Sequence, residues 1–369
     1  ADFAPESLSA TVKAACDIAR YTNRDEFAGL ADADRMAKLI PDLDLYHPWG
    51  LDAEQAILLA TECEDAARQF DPRIENSEGG TVSSYVGMRV KANTNDFLAG
   101  YRSSYHSCSC AVIGKQDGEM QRDYWSFSAR DPADMISAAE TGRIAAERTV
   151  RRLGSQRLST RQAPVVFAAD IASSLFGHFI SAVSGSSLYR KSSFLLDHLG
   201  TQVFPDHLHI HEQPLLKKGL GSAPYDGEGV ATQAQDFVRD GILQSYVLNS
   251  YAARKLGMAT TGNAGGVRNL TIDPGDKDLQ QILRSMDTGL LVTELIGFGV
   301  NTVTGDYSRG AAGFWVEGGE IRYPVDEITV AGNLKDMFMH IIEVGNDVDL
   351  RGNTRTGSVL IEEMTIAGS

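Results

Sequence analysis

The chain has 369 residues, 43% of them hydrophobic and 22% charged, with a formal net charge of −15. That length accommodates two or three domains around a large core, while the acidity argues against a phosphate-binding surface, which is built from Lys and Arg, and against anionic membrane. No apolar run approaches the ~20 residues that span a bilayer, so the chain reads as a soluble cytoplasmic protein with no direct nucleic-acid contact and no membrane contact.

The chain starts without an initiator Met, has no basic, apolar leader, and is read as processed or incomplete. Pro5 suits the first turn of a helix, and Leu8, Val12, Ala15 and Ala19 recur at helical spacing through about Tyr21. Residues 23–43 read as a connector with a short helix. A second helix starts at Asp52, where Gln55 completes a capping-box pattern, and carries the stripe Ala56, Leu59, Ala60, Cys63, Ala67 and Phe70.

From residue 79 to about 127 the period becomes two, with Tyr85, Gly87, Arg89 and Lys91 alternating with Val86, Met88, Val90 and Ala92. Phe97, Ala99, Tyr101, Ser103 and Tyr105 share one face, and Asp117-Gly118 marks a hairpin. Three or four antiparallel strands are predicted. Cys108 and Cys110 fall on one face of a strand as small buried residues; with Cys16 and Cys63 they are too few for a disulfide framework, and no second Cys or His pair lies at zinc spacing. Asp131 or Pro132 then opens a long helix to about Leu153.

A polar linker spans residues 154–162. Beyond it a buried strand over 165–169 leads into a helix capped by Asp170 and running to about Ser184. Asp226-Gly227 and Asp240-Gly241 mark turns, the latter between two strands. Thr261-Gly262-Asn263-Ala264-Gly265-Gly266 is a Gly-rich loop without the Lys of a phosphate loop. A helix is expected over 333–343. Strands and helices mix without regular alternation, so the fold class is α+β, with antiparallel and mixed sheets and packed helices.

His207, His209 and His211 would project from one face of a strand, about 7 Å apart by the strand rise. Two of them, completed by Glu212 or His198, have a composition that suits zinc. Pro205 and Pro214 flank the segment, which makes it a short edge strand whose histidines read most simply as a solvated face. Whether they bind metal stays open. No Ser-His-Asp or Cys-His arrangement is identifiable.

The C-terminal block is the most specific signal: Gly305-Asp306-Tyr307-Ser308-Arg309-Gly310 running into Phe314-Trp315-Val316-Glu317, then Ala331-Gly332-Asn333-Leu334-Lys335-Asp336 and Val344-Gly345-Asn346-Asp347. With Ala14-Ala15-Cys16-Asp17 near the start and Ile366-Ala367-Gly368 at the end, it resembles the TldD/PmbA family along nearly the entire chain, nearest to the PmbA (TldE) branch. The resemblance implies a two-domain architecture, read here as an N-terminal helix and connector (1–43, a remnant of the family's first, strand-rich region), a central α+β domain (44–153) and a C-terminal domain (154–369).

In that family the TldD-type subunit carries a His-Glu-x-x-x-His helix and a C-terminal Cys that bind zinc. Anchored on Arg190-Lys191, the resemblance places Gly177 at the first His position, His178 at the Glu position, Ala182 at the second His position and Thr356 at the Cys position. None of Gly177, Ala182 and Thr356 supplies an imidazole or thiolate. The resemblance thus implies a chain with no catalytic residue or cofactor of its own, pairing as a heterodimer with a TldD-type subunit that holds the zinc and acting on small or unfolded peptide, as in antibiotic-precursor processing or antitoxin degradation. His178, Asn263 and Arg309 are its candidate substrate or interface residues. The alternatives are a stand-alone homodimeric binding or regulatory protein, following an older family label of gyrase modulator, or an independent metallopeptidase using the 207–212 histidines.

Overall fold

A computed structural model describes residues 3–368; Ala1, Asp2 and Ser369, included in the expected regions 1–43 and 154–369, lie outside the described residues. Helix α1 (Pro5–Tyr21) forms where the spacing places it, with Pro in its first turn, yet none of its residues is buried, and Leu8 and Val12 stay exposed. Helix α2 (Ala53–Phe70) has the anticipated cap: Asp52 accepts from the Gln55 amide at 2.8 Å and the Gln55 side chain accepts from the Asp52 amide at 3.1 Å.

Three strands follow, β1 (Ile74–Asn93), β2 (Phe97–Gln116) and β3 (Glu119–Ala129), antiparallel in the order β1-β2-β3. The β2–β3 turn has positive φ at both Asp117 (53°) and Gly118 (90°), the conformation of a tight two-residue hairpin loop. Helices α2 and α3 (Ala138–Arg151) cover the base of this sheet around a core of Cys63, Ala67, Cys108, Cys110, Val112, Ala145 and Ala146. Tyr85, Met88 and Leu98 of the β1–β2 hairpin are exposed, while Phe97 and Tyr101, just after its turn, pack edge-on against Tyr225, 5.4 and 5.5 Å between ring centres.

The remainder comprises β4 (Arg161–Phe167), α4 (Ala169–Ala182), α5 (Gly185–Tyr189), β5 (Ile210–Glu212), β6 (Gln235–Arg239), β7 (Ile242–Leu243), α6 (Ser250–Lys255), β8 (Leu270–Ile272), α7 (Leu279–Met286), β9 (Gly289–Ile296), β10 (Asp306–Glu317), β11 (Glu320–Asn333), α8 (Leu334–Met339), β12 (Ile341–Val344), β13 (Thr354–Arg355) and β14 (Val359–Ala367). The larger sheet has the order β11-β10-β9-β4-β14-β12, with β11 also pairing with β14, and β4 and β9 parallel. Its central strand alternates as a strand must: Val165 and Phe167 join the core containing Leu175, Phe176 and Phe179 of α4, and Val166 joins the core containing Ile282, Leu283 and Met286 of α7. Phe204 anchors the first core, stacked on Phe338 at 4.8 Å and edge-on to Phe179 at 5.2 Å; such pairs contribute about 0.5–1.5 kcal/mol beyond burial. A smaller mixed sheet runs β13-β8-β5-β6-β7. The fold is α+β. Among the described residues no helix is long and apolar enough to cross a membrane.

Four expectations need correction. Asp131 caps only a one-turn helix, Pro132–Asp134; its carboxylate also holds Lys218 at 2.6 Å, and α3 starts later, capped by Ser137 on the Glu140 amide at 3.1 Å. Asp170 lies within the first turn of α4, whose cap position is Ala168, and is turned toward Arg148. The helix after Asn333 ends at Met339, because Ile341–Val344 pairs with β14. Finally, the His-rich strand β5 is not an edge: it sits between β6 and β8.

Candidate functional site

A cavity of about 620 Å3 opens between the three-stranded sheet and the larger sheet, lined by β3, α3, the first turns of α4, β9, Arg309 of β10, Asp349 and residues 351–354. Arg148 of α3 reaches across it, 2.8 Å from Asp170 and 3.4 Å from Asp123. Arg152, one turn on, meets Asp123 at 3.6 Å and Glu294 at 2.5 Å. Burial pushes the Asp170 carboxyl up, while the charges of Arg148 and Arg351 pull it back. Arg148 is held above its ordinary value, against its own burial, by Asp170 and Asp123, so the arrangement favours the cation more than its acidic partner.

Arg351 forks onto Asp349 at 2.9 and 2.8 Å, donates to the Ser126 carbonyl at 3.0 Å, and lies over the Trp125 ring, which Arg148 also approaches. The Trp125 indole Nε1 and the Arg309 Nε have no protein hydrogen-bond partner although both are buried. Fixed charges and the small side chains Ser173 and Ser174 make the cavity wall polar.

The sequence-derived candidates separate into two places. His178 and Arg309 come together: His178 lies edge-on to Tyr307, 5.9 Å between ring centres, and burial, then the Arg309 charge, holds its imidazole below the ordinary range. Burial pushes the Tyr307 phenol up to about 12, opposed by Arg309. Arg309 itself lines the cavity and donates to the Leu295 carbonyl at 3.4 Å. Asn263 stands elsewhere, 3% exposed, donating to Glu212 at 2.8 Å and accepting from Thr261 at 2.7 Å. Burial pushes the Glu212 carboxyl up, and Gln235, the Arg268 amide and Asn263 pull it down. Asn263 thus braces the interior through its bonds to Glu212, Thr261 and Gln235.

The zinc that the resemblance implies for the family does not fit the residues present. Gly177 is exposed, with open space where a side chain would stand. Ala182 is fully buried and offers no donor atom. Thr356 is fully buried, and its hydroxyl donates to the Gly357 carbonyl at 3.1 Å.

The second histidine cluster takes a different form from the expected one. Glu212 faces the buried network just described, and His198 Nδ1 donates locally to the Leu196 carbonyl, 2.7 Å away. Neither joins His209 and His211, and His207 is exposed. Asp273, just after β8, lies 2.7 Å from His209 Nδ1 and 3.0 Å from His211 Nε2, and Asp236 of β6 lies 2.9 Å from His209 Nε2. Burial lowers the His209 pKa, but the hydrogen bonds to Asp236 and Asp273 outweigh it and leave the imidazole above its ordinary range. Nothing in local spacing marks Arg148, Trp125 or Asp273, because their partners are brought in from distant segments, and Arg351, though paired locally with Asp349, meets Trp125 and Ser126 only in the fold.

Two domain models of one family match the chain: the PmbA/TldA metallopeptidase central domain over residues 46–153 and its C-terminal domain over residues 160–368. The chain is 52% identical over 367 residues to Metalloprotease PmbA of Escherichia coli O157:H7, covering 100% of this chain and 82% of that protein. It is 48% identical over 369 residues to the Metalloprotease PmbA homolog of Haemophilus influenzae, with coverage of 100% and 82%. The same Haemophilus strain has a Metalloprotease TldD homolog, 23% identical over 320 residues, covering 81% of this chain and 66% of that one. Among solved structures, a candidate modulator of DNA gyrase from Bacteroides thetaiotaomicron superposes with a TM-score of 0.93 at 31% identity, over 99% of this chain and 83% of that one. TldE from Thermococcus kodakarensis, at 19% identity, shares the fold with a TM-score of 0.80 over 99% of this chain and 85% of that one.

Proposed function

This chain belongs to the TldD/PmbA metallopeptidase family, and from that premise we propose that it is the metal-free, PmbA-type subunit of a two-subunit zinc peptidase. Hydrolysis is assigned to a TldD-type partner. This chain contributes a wall that holds small or unfolded polypeptide in extended form, through the donors along β3, β9 and Arg351. The setting is the cytoplasm, with neither nucleic acid nor membrane as a partner.

The observation that carries the reading is the chemistry of three positions: Gly177, Ala182 and Thr356 supply neither imidazole nor thiolate where the resemblance implies the family's metal ligands. Support for a partner is that Haemophilus influenzae has both a PmbA homolog and a TldD homolog similar to this chain. The name of the Bacteroides structure motivates the stand-alone reading, a homodimeric regulatory protein.

The test is co-purification with a TldD-type subunit from the same genome, followed by peptidase assays with and without chelator. Joint elution and hydrolysis only in the mixture support the reading. Hydrolysis by this chain alone, lost on chelation, overturns it in favour of an independent metallopeptidase. Failure to associate, with a stable homodimer instead, favours the regulatory protein.

A further inference from the structure

We propose that His209, His211 and Asp273 form a binding site for a zinc-class divalent ion, separate from the family's hydrolytic helix. Their ligand atoms all lie within 4.8 Å of one another. Asp273 already gathers the two imidazoles: its Oδ2 is 2.7 Å from His209 Nδ1 and its Oδ1 is 3.0 Å from His211 Nε2. Donors bonded to zinc at about 2.0–2.1 Å stand roughly 3.3 Å apart around a tetrahedron. The Asp273 contacts therefore need to open by a few tenths of an ångström, and a pair at the 4.8 Å limit would have to close by about 1.5 Å, a side-chain adjustment and not a change of fold.

The backbone sets up the convergence. Leu208 and Ile210 point into the core while His209 and His211 share the opposite face, their rings stacked 4.7 Å apart at 20°. Pairing of His211 with Thr271 on β8 fixes where Asp273 emerges, and the Asp273 amide donates to the His209 carbonyl at 3.1 Å.

A second observation separates this site from a simple charge cluster. His209 Nε2 is 2.9 Å from Asp236, which Arg239 also engages. Once a metal displaces the Nδ1 proton, a carboxylate on the far nitrogen holds the tautomer whose near-nitrogen lone pair faces the ion, the arrangement usual behind ligating imidazoles. Two imidazoles with one carboxylate select zinc, cobalt or nickel over calcium and magnesium, which prefer all-oxygen sites. Three protein ligands leave a fourth position for water, and Asp273 is exposed enough to admit it. The bound ion joins β5 to the segment leading into α7, a structural clasp.

The test uses the full chain stripped with chelator and titrated with Co2+, then Zn2+. The expected result is one equivalent of Co2+ with visible ligand-field bands, no thiolate charge-transfer band, displacement by Zn2+, and no competition from Mg2+ or Ca2+. His211→Ala and Asp273→Asn should each weaken binding at least 10-fold, and Asp236→Asn by about 10-fold or more. Histidine 15N NMR on the unaltered chain guards against a misfolded variant: Zn2+ should move the imidazole signals of His209 and His211 and leave those of His178 and His106 in place. Thiolate absorption, equal binding by the variants, or shifts confined to other histidines overturns the proposal. None of these readouts depends on peptidase activity, so the subunit reading stands or falls separately.

Discussion

The guanidinium of Arg351 lies over the ring of Trp125, 3.5 Å from its centroid, while its fork holds Asp349. One side chain thereby fastens the 349–354 segment to the central sheet and forms one wall of the cavity. Flat stacking combined with a two-pronged carboxylate bond is geometry that arginine satisfies and lysine does not.

Arg351→Ala is expected to cost about 2 kcal/mol of stability, from a desolvated stacking contact and a charge-assisted fork. Arg351→Lys should recover less than half of that. Denaturant unfolding gives the energies, and hydrogen exchange should show faster exchange in residues 349–354. Unchanged exchange there would show that the segment is held by other contacts.

Gly142→Ala tests the closeness of α2 and α3. A Cβ at residue 142 would stand 1.9 Å from the Cys63 carbonyl oxygen and 3.1 Å from the Ala67 amide nitrogen, both backbone atoms that cannot rotate away. The helices must separate, at an expected cost of about 1–3 kcal/mol. Thermal unfolding of the variant checks it, and an unchanged midpoint would refute the tight packing.

Gly177 makes the opposite prediction. It is exposed on α4 with nothing within 4 Å of an added Cβ. Gly177→Ala should stabilise the chain by about 0.5–1 kcal/mol, since glycine weakens a helix interior. Paired with a TldD-type subunit, Gly177→Ala and His178→Ala should retain most of the peptidase activity. A loss of ten-fold or more in either would place this helix in the chemistry after all.

A pH dependence follows from Asp71, whose carboxyl is held at about 2 by hydrogen bonds from the Arg73 side chain and then the Arg73 amide. The ordinary carboxyl value is ~3.9. Because the folded pKa is the lower one, the stabilisation is complete above the ordinary value and is lost as pH falls from about 4 through about 2. Both side chains are partly exposed, so it amounts to no more than about 1 kcal/mol. Arg73→Gln should move the Asp71 titration, followed by carboxyl NMR, up toward the ordinary value and shift acid unfolding to higher pH. An unmoved titration would assign the effect to the backbone amide alone.

Much of the architecture was legible in the sequence where the signal is carried by near neighbours. The Asp52–Gln55 cap, the Asp117-Gly118 turn and the strand β4 that feeds α4 all rest on residues within a few positions of each other. Where a distant partner competed, the local reading failed. Asp131 looked like the cap of a long helix but is shared with Lys218, 87 residues away. Residues 341–343 were expected to end a helix but were taken by pairing with β14. The prolines around β5 suggested an edge, yet β6 and β8 come in on both sides.

By itself, then, the sequence determined the fold class, the family and the chemical poverty of positions 177, 182 and 356, because side-chain identity and short-range periodicity are written into the chain directly. The tertiary structure alone decided which charges meet. Arg148 faces Asp170 across 22 residues, Arg351 reaches Ser126 across 225, and His211 finds Asp273 across 62. Such meetings are set by sheet register and helix packing, which depend on burial summed over the whole chain and leave no local mark at the residues they unite.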